Sequence, residues 1–236
     1  MNNVLARVAI TQSELFNRWP GDVIGRLVAS SDVVTFDAAT CIHQSGDNAE
    51  FLYLVASGSL EVLRQTAGRD FTAWRYFQGD FHGIGPVLAS TPYEYALVCK
   101  ERTVLVRVPA KLIRDAISND GRLAFPLFSV LDHRYRDSLR RYESAATLST
   151  RARVAGLLLS FIGRHTHNRE AVEVNLSQVE IATMLGTRRQ VVNRALRDLE
   201  ANGAVKVQYG YVTVTNAAVL SKLIDDNPRH EDPEAS

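Results

Sequence analysis

The sequence predicts an α+β chain in three parts: an antiparallel β-roll over 1–121, a long helix over 122–144, and a compact helical module closed by two strands over 145–236. Three observations predict it. Short β-rich runs separated by glycine turns fill the first half. An apolar stripe at helical spacing follows them. Two helical segments with capping signals then meet at Gly186, and VKVQ and YVTVT come after them. The 236 residues suffice for one large domain or two small ones. With 46% hydrophobic and 22% charged residues the chain has ordinary globular composition, which excludes a disordered polyelectrolyte.

Taken in order, residues 12–29 predict a short helical lead-in, with Ser13 capping a turn that contains Leu15 and Phe16. VVTF, EFLYLV, SLEVLR, FTAWRYF, YEYALVC and TVLVRV then read as strands, with turns at Gly46-Asp47, Gly58, Gly68 and Gly79-Asp80. Short strands at this spacing predict an antiparallel roll or barrel. Val104, Val106 and Val108 alternate with Leu105 and Arg107, as in a half-buried strand. Pro109 opens a helix, where its missing N–H is no loss, and Asn119, Asp120 and Gly121 end it. From Arg122 to Glu143 the residues Leu123, Leu127, Val130, Leu131, Arg134, Ser138 and Tyr142 fall near one stripe of a helix. That stripe needs a partner, either the roll or the same helix of a second chain, in which case Leu127, Val130 and Leu131 meet their mates. Pro126 marks a kink or a later true start. RARVAGLLLSFIGRH is a further apolar helix, and the acidic DDNPRHEDPEAS reads as a frayed tail.

Charge is uneven along the chain. Residues 1–121 carry 11 basic and 13 acidic side chains, whereas residues 151–215 carry 9 and 5. A basic excess confined to one module predicts a polyanionic partner for that module. The N-terminus carries charges and lacks an apolar segment, which predicts no signal peptide. No apolar run reaches the ~18 residues a spanning helix needs, so no membrane partner is expected. Cys41 and Cys99, the two cysteines, fit a cytoplasmic location.

The most specific signal is LSQVEIATMLGTRRQVVNRALRDLEANG. Ser177 with Glu180 forms a capping box that starts one helix, and Ile181, Ala182 and Leu185 give it a buried face. Gly186 breaks it. Thr187 with Gln190 reads as a second capping box, followed by a core stripe of Val191, Val192, Ala195, Leu196 and Leu199. Two capped helices joined by so short a turn are a helix-turn-helix, and the strands around Tyr209-Gly210 supply a wing. On the second helix Arg189, Gln190, Asn193 and Arg194 point away from the core stripe, as residues that read base edges must. Arginine pairs with guanine O6 and N7; Gln or Asn pairs with adenine N6 and N7. Thr187, Arg188 and Arg197 flank this patch as candidate phosphate contacts.

With these residues in view, the chain resembles the CRP/FNR superfamily of bacterial transcription regulators, most strongly in LSQVEIATMLGTRRQVVNRALRDLEANGAV and also in SGSLEVL and FQGDF. The resemblance implies an N-terminal cyclic-nucleotide-binding-type β-roll, a long dimerisation helix and a C-terminal winged helix-turn-helix. It implies a homodimer on a near-palindromic site of double-stranded DNA, with RNA polymerase as a further partner and Arg189, Gln190 and Arg194 at base-reading positions. Many members have Glu where this chain has Gln190, and glutamine can donate as well as accept, so the preferred base pair differs.

The resemblance also exposes a departure. In members that bind cyclic AMP, a Gly-Glu grips the ribose and an Arg-Ser pair neutralises the phosphate. The matching stretch is FHGIGPVLASTPYEYALV, where Ile84 replaces the Glu and Glu94-Tyr95 replace Arg-Ser. A glutamate facing a phosphate is repulsive, so control by cyclic AMP is not expected and any small-molecule effector stays unidentified. Two cysteines exclude a family-type four-cysteine iron–sulfur cluster within one chain. His43, His82 and Cys99 are candidate haem ligands, but each reads more simply as a surface histidine or a buried strand cysteine. His165 and His167 read as residues at a helix end rather than metal ligands. Tyr53, Trp74, Tyr76, Phe77, Phe81, Tyr93 and Tyr95 crowd the roll and are expected to fill its core, the alternative being that some of them line a pocket for an aromatic or fatty ligand. No P-loop or nucleophile elbow is present, so neither an enzyme nor a cofactor or metal is predicted. The remaining alternative is a non-catalytic effector-binding or adaptor protein whose DNA binding has been lost.

Overall fold

A computed structural model of the chain describes residues 2–66, 69–165 and 172–225. The chain divides into two compact units, residues 1–136 and 137–236.

The first unit opens with helices α1 (Asn2–Gln12) and α2 (Gly21–Ser30). Strands β1 (Asp32–Phe36), β2 (Cys41–His43), β3 (Phe51–Ser57), β4 (Ser59–Thr66), β5 (Arg69–Phe77) and β6 (Phe81–His82) follow. Helix α3 (Ile84–Ala89), strands β7 (Ala96–Cys99) and β8 (Thr103–Pro109), and helices α4 (Ala110–Asn119) and α5 (Ala124–Thr147) complete the series, and the boundary between the units falls within α5. The strands form two four-stranded sheets, β1-β8-β3-β6 and β2-β7-β4-β5, with every described pair antiparallel.

Strand period explains the layering. In β3, Leu52 and Leu54 join Val106 and Val108 of β8 in a core that α1, α2 and α4 cover with Ile10, Leu27 and Ile113. The alternate residues Tyr53, Val55 and Leu105 face a second core with Leu60, Val62 and Leu97 of the other sheet. One sheet therefore has helices on one face and a sheet on the other, so its central strands are apolar on both sides. This corrects the half-buried reading of β8, in which Leu105, Val106 and Val108 are all buried while Val104 is only half-buried. Gly58 makes the turn from β3 to β4 at φ +85°, and a Cβ there would sit 2.6 Å from Thr103 Oγ1 and 2.7 Å from the Arg102 carbonyl. Only glycine fits that turn.

The second unit contains α6 (Thr150–His165), β9 (Val172–Val174), α7 (Gln178–Leu185), α8 (Arg189–Ala201), β10 (Val205–Gln208), β11 (Tyr211–Val214) and α9 (Ala217–Asp225). Its three strands pair antiparallel in the order β10-β11-β9. Val154, Leu158, Ile181, Val192, Leu196, Leu199, Val212 and Leu220 form one core, so helices α6, α7, α8 and α9 and the wing pack as a single body.

Several sequence expectations change. The lead-in is two helices, with residues 13–19 forming the turn between them; Ser13 does work there, its carbonyl accepting from the N–H groups of Phe16 and Asn17. The stripe of α5 turns first toward its own unit: Leu127 is 1% and Val130 8% exposed, and Leu131 packs against the same core. These residues are not free to meet a second chain. Pro126 lies in the first turn of α5, where no intrahelical N–H bond is lost. The turn at Gly68, the side chain of His165, residues Thr166 and His167, and the acidic tail beyond Asp225 lie outside the described residues.

Candidate nucleic-acid interface and the interior of the roll

The helix-turn-helix is built from short-range chemistry. Ser177 caps α7: its side chain accepts from the Glu180 N–H, and Glu180 reaches back to the Ser177 N–H at 2.7 Å. Gly186 ends α7 in the left-handed region at φ 62°. The Thr187 N–H then donates to the Ala182 carbonyl at 2.9 Å, which closes the helix end in the manner of a Schellman motif. This bond decides the next cap. Thr187 is used in ending α7, so the extended residue before α8 is Arg188, at φ −90° and ψ 145°, with no side-chain cap. The second capping box expected from Thr187 and Gln190 does not form. The first N–H groups of α8 are left without a side-chain acceptor, at the positive end of a 13-residue helix.

Packing fixes which face of α8 is outward. Val192, Ala195, Leu196 and Leu199 are buried, and Ala182 of α7, 4% exposed, lets the two helices cross closely. Arg151 of α6 holds Asp198 of α8 at 2.7 Å, and Arg153 donates to the Leu185 carbonyl at the end of α7. The Glu200 carboxylate accepts from the Val207 N–H at 2.8 Å, tying α8 to the wing strand β10. On the opposite side Arg188, Arg189, Gln190, Arg194 and Arg197 are all exposed. None of their side chains makes a hydrogen bond or an ion pair among the described residues. Four guanidinium groups along the outward face of a helix whose start is uncapped make a surface suited to phosphates and guanine edges.

Asn193 differs from its neighbours. It is half-buried, and its Nδ2 donates to Oε1 of Gln178, the first residue of α7, at 3.0 Å. No local pattern marks this pairing, because Gln178 stands outside the patterns that mark the caps and the core. The structure also places Tyr209 fully exposed at the tip of the wing, beside Gly210 at φ +85°.

Aromatic side chains of the roll pack into its interior. Tyr53, Tyr76 and Tyr93 are buried together with Leu60, Leu97, Cys99 and Leu105, while Trp74 and Tyr95 pack around them and Phe81 joins the helix-covered core. His43 is buried too, at 5% exposed, rather than a surface histidine. Its ring stacks on Tyr93 with centroids 3.6 Å apart, and its Nε2 lies 3.0 Å from Nε2 of His82. Burial holds the pKa of His43 at about 4, and burial with the neighbouring His43 and Arg134 holds that of His82 at about 3. Both rings are neutral near pH 7. Burial, with Tyr53 alongside, pushes the Tyr93 phenol up, and that phenol donates to the Phe51 carbonyl at 2.5 Å. Arg134 of α5 donates to the Phe81 carbonyl at 2.9 Å and lies 3.8 Å from the centre of the Phe81 ring. Among the described residues no three His, Cys, Asp or Glu side chains converge as metal ligands.

The positions that diverge from cyclic-nucleotide chemistry have other occupations. Ile84 is 2% exposed and belongs to the core shared with the helices. Glu94 is exposed and pairs with Arg64 at 3.3 Å, and Arg64 in turn stacks over Tyr95. Gly83 keeps a left-handed φ of 100°, but a Cβ there would meet the Tyr93 ring at 3.3 Å, so Tyr93 closes the space beside it.

Comparison with known proteins agrees with this architecture. A cyclic nucleotide-binding domain model matches residues 33–120, and a Crp-like helix-turn-helix domain model matches residues 152–223. The cAMP-activated global transcriptional regulator Vfr of Pseudomonas aeruginosa is 25% identical over 198 residues, covering 78% of this chain and 90% of its own. A CRP-like cAMP-activated global transcriptional regulator of Mycobacterium tuberculosis is 24% identical over 226 residues, covering 94% and 99%. Among solved structures, FixK2 from Bradyrhizobium japonicum superposes with a TM-score of 0.73 at 19% identity, covering 82% of this chain and 96% of that one. The two domain models together match well over half of the chain, in the order that the fold shows, and the chain belongs to the CRP/FNR superfamily of transcription regulators.

Proposed function

We propose that this regulator binds a near-palindromic promoter site as a homodimer, reads it with α8, and does so without cyclic AMP. The observation that carries the reading is the outward face of α8, where Arg188, Arg189, Gln190, Arg194 and Arg197 stand exposed on a helix whose start is uncapped. Arg189, Gln190, Asn193 and Arg194 take the base edges. Thr187, Arg188, Arg197 and the first N–H groups of α8 take phosphates.

Dimerisation is assigned to the helix over 122–144, through residues other than Leu127, Val130 and Leu131. Phe125, Phe128, Tyr135, Leu139 and Tyr142 are exposed on α5. They recur at alternating steps of three and four, with Asp132 at the one intervening position, which is the seam of a two-stranded coiled coil. A two-fold pair would set two reading helices about 34 Å apart, one turn of DNA. Independence from cyclic AMP rests on Ile84 in the core, Glu94 paired with Arg64, and Tyr93 stacked on His43 inside the roll. Vfr and the Mycobacterium tuberculosis regulator are cAMP-activated; this chain shares their roll and lacks the groups that would neutralise a cyclic phosphate. RNA polymerase is the expected further partner, the location is the cytoplasm, and a non-nucleotide effector is left open.

The test is selection by the full chain from a randomised duplex library at fixed salt, followed by salt titration on the selected site. A near-palindrome bound with a steep negative salt slope supports the reading. Binding that never exceeds the affinity for unrelated DNA contradicts it and favours an adaptor that has lost DNA recognition.

A further inference from the structure

We infer that Gln178, at the start of α7, is a positioning residue that sets the specificity of the reading helix through the amide of Asn193. The inference rests on α8 being the helix that reads DNA.

The geometry has three parts. First, the Gln178 Oε1 accepts from Asn193 Nδ2 at 3.0 Å across the α7–α8 crossing. Second, Gln178 is itself held. It follows Ser177, whose reciprocal cap with Glu180 fixes the backbone at the start of α7. Third, Asn193 lies one turn beyond Arg189 and Gln190 and next to Arg194, so its side chain borders the exposed patch while its inner edge is covered.

An asparagine amide carries two N–H bonds and one carbonyl oxygen. With one N–H committed to Gln178, the amide plane cannot spin about its last bond. In the proposed arrangement Gln178 takes the N–H trans to Oδ1, which leaves the second N–H and Oδ1 side by side as a donor and an acceptor. That is the pair adenine requires, the donor to N7 and the acceptor from N6. A rotating asparagine would have to be ordered on binding. A held one is ordered beforehand, and its preference for adenine over the other bases is correspondingly sharper. Gln178 itself touches no base in this account; it acts through Asn193.

The experiment compares base preferences selected from one randomised palindromic library by the wild-type chain and by Asn193→Ala, Gln178→Ala, Gln178→Glu and the Gln178→Ala/Asn193→Ala pair. Asn193→Ala identifies the base pair that Asn193 reads by abolishing its preference. Gln178→Ala is expected to weaken the adenine preference at that same pair by about 2–10-fold per half-site, the cost of ordering one polar side chain. Pairs read by Arg189 and Arg194 keep their preferences. The double variant behaves as Asn193→Ala alone. Gln178→Glu retains an acceptor of equal reach and keeps the adenine preference, although its added negative charge lowers affinity for all DNA. A merely structural role for Gln178 would blunt every pair alike, and that result overturns the inference. So does a Gln178→Ala selection that leaves the Asn193 pair unchanged, or an Asn193→Ala selection that alters no pair while Arg194→Ala alters one. If Arg194→Ala also alters none, the assignment of α8 as the reading helix fails with it.

Discussion

Helix α5 carries two apolar faces, and a pair of substitutions separates their roles. Phe128 is 65% and Tyr135 63% exposed. Of the ~150–250 Å² that an aromatic side chain can bury, roughly 100–160 Å² of each ring is therefore open to a partner. At about 25 cal/mol per Å² this is ~2.5–4 kcal/mol per ring, and a two-fold dimer covers each ring twice. Side-chain ordering and loss of rigid-body freedom take back part of it. Replacing both residues by Ala should still raise the dimer dissociation constant by at least ~100-fold, which is about 2.7 kcal/mol. The fold of the first unit should be nearly untouched, because neither ring contributes to its buried core. Leu127→Ala should do the reverse. At 1% exposed, its truncation should cost about 2–5 kcal/mol of folding stability and leave the dimer intact in the folded protein. Sedimentation equilibrium across the micromolar range, read beside thermal melts, distinguishes the two. The reasoning is refuted if the Phe128→Ala/Tyr135→Ala protein stays as dimeric as wild type, or if Leu127→Ala dissociates the dimer without lowering the melt.

Further outcomes are expected. Ser177→Ala should destabilise the second unit by ~1 kcal/mol in urea unfolding, whereas Thr187→Ala should cost clearly less, since Thr187 caps nothing; equal losses would contradict the cap assignment. His43 has its pKa lowered from 6.5 to about 4 in the folded chain, so unfolding takes up a proton below pH 6.5. Its contribution to stability is complete above pH 6.5 and falls by at most ~1.4 kcal/mol per pH unit down to about pH 4; a melting temperature that is level from pH 7 to 4.5 would argue against a buried neutral pair. Calorimetric titration with cyclic AMP or cyclic GMP should show no binding to high micromolar ligand, and a low-micromolar constant would overturn the account of the roll.

The legible parts of the structure were those set by neighbours in the chain. Ser177, Glu180 and Gly186 define the start and end of α7 within ten residues, and the apolar period of α8 selects its outward face without tertiary information. The roll was legible as a series of strands because glycines such as Gly58 mark turns that no other residue can make. Strands β2 and β6, of three and two residues, carry too little pattern to be read, and they exist because longer partners hold them. The cap of α8 was misplaced by one residue because Thr187 satisfies the same local pattern, while its N–H is claimed by the end of α7. Periodicity found the stripe of α5 that carries Leu127, Val130 and Leu131 but missed the second one through Phe125, Phe128, Tyr135 and Leu139, and it could not say which face meets the roll, since that depends on α1, α2 and the strands already in place. His43 with His82, and Gln178 with Asn193, are tertiary pairs 39 and 15 residues apart, for which a single sequence offers no signal.

On the proposed reading, the outward face of α8 contacts base edges and is not a generic basic surface. The most direct test of that reading is the affinity of Arg194→Ala and Arg197→Ala for the selected palindrome and for unrelated duplex of equal length, across a salt series. Arg194→Ala should lose about 1–3 kcal/mol per half-site on the selected palindrome and little on unrelated DNA. Arg197→Ala should weaken both duplexes alike and reduce the salt slope by about one per half-site. Equal losses of specific and non-specific affinity in both variants would contradict the assignment of α8 as the reading helix.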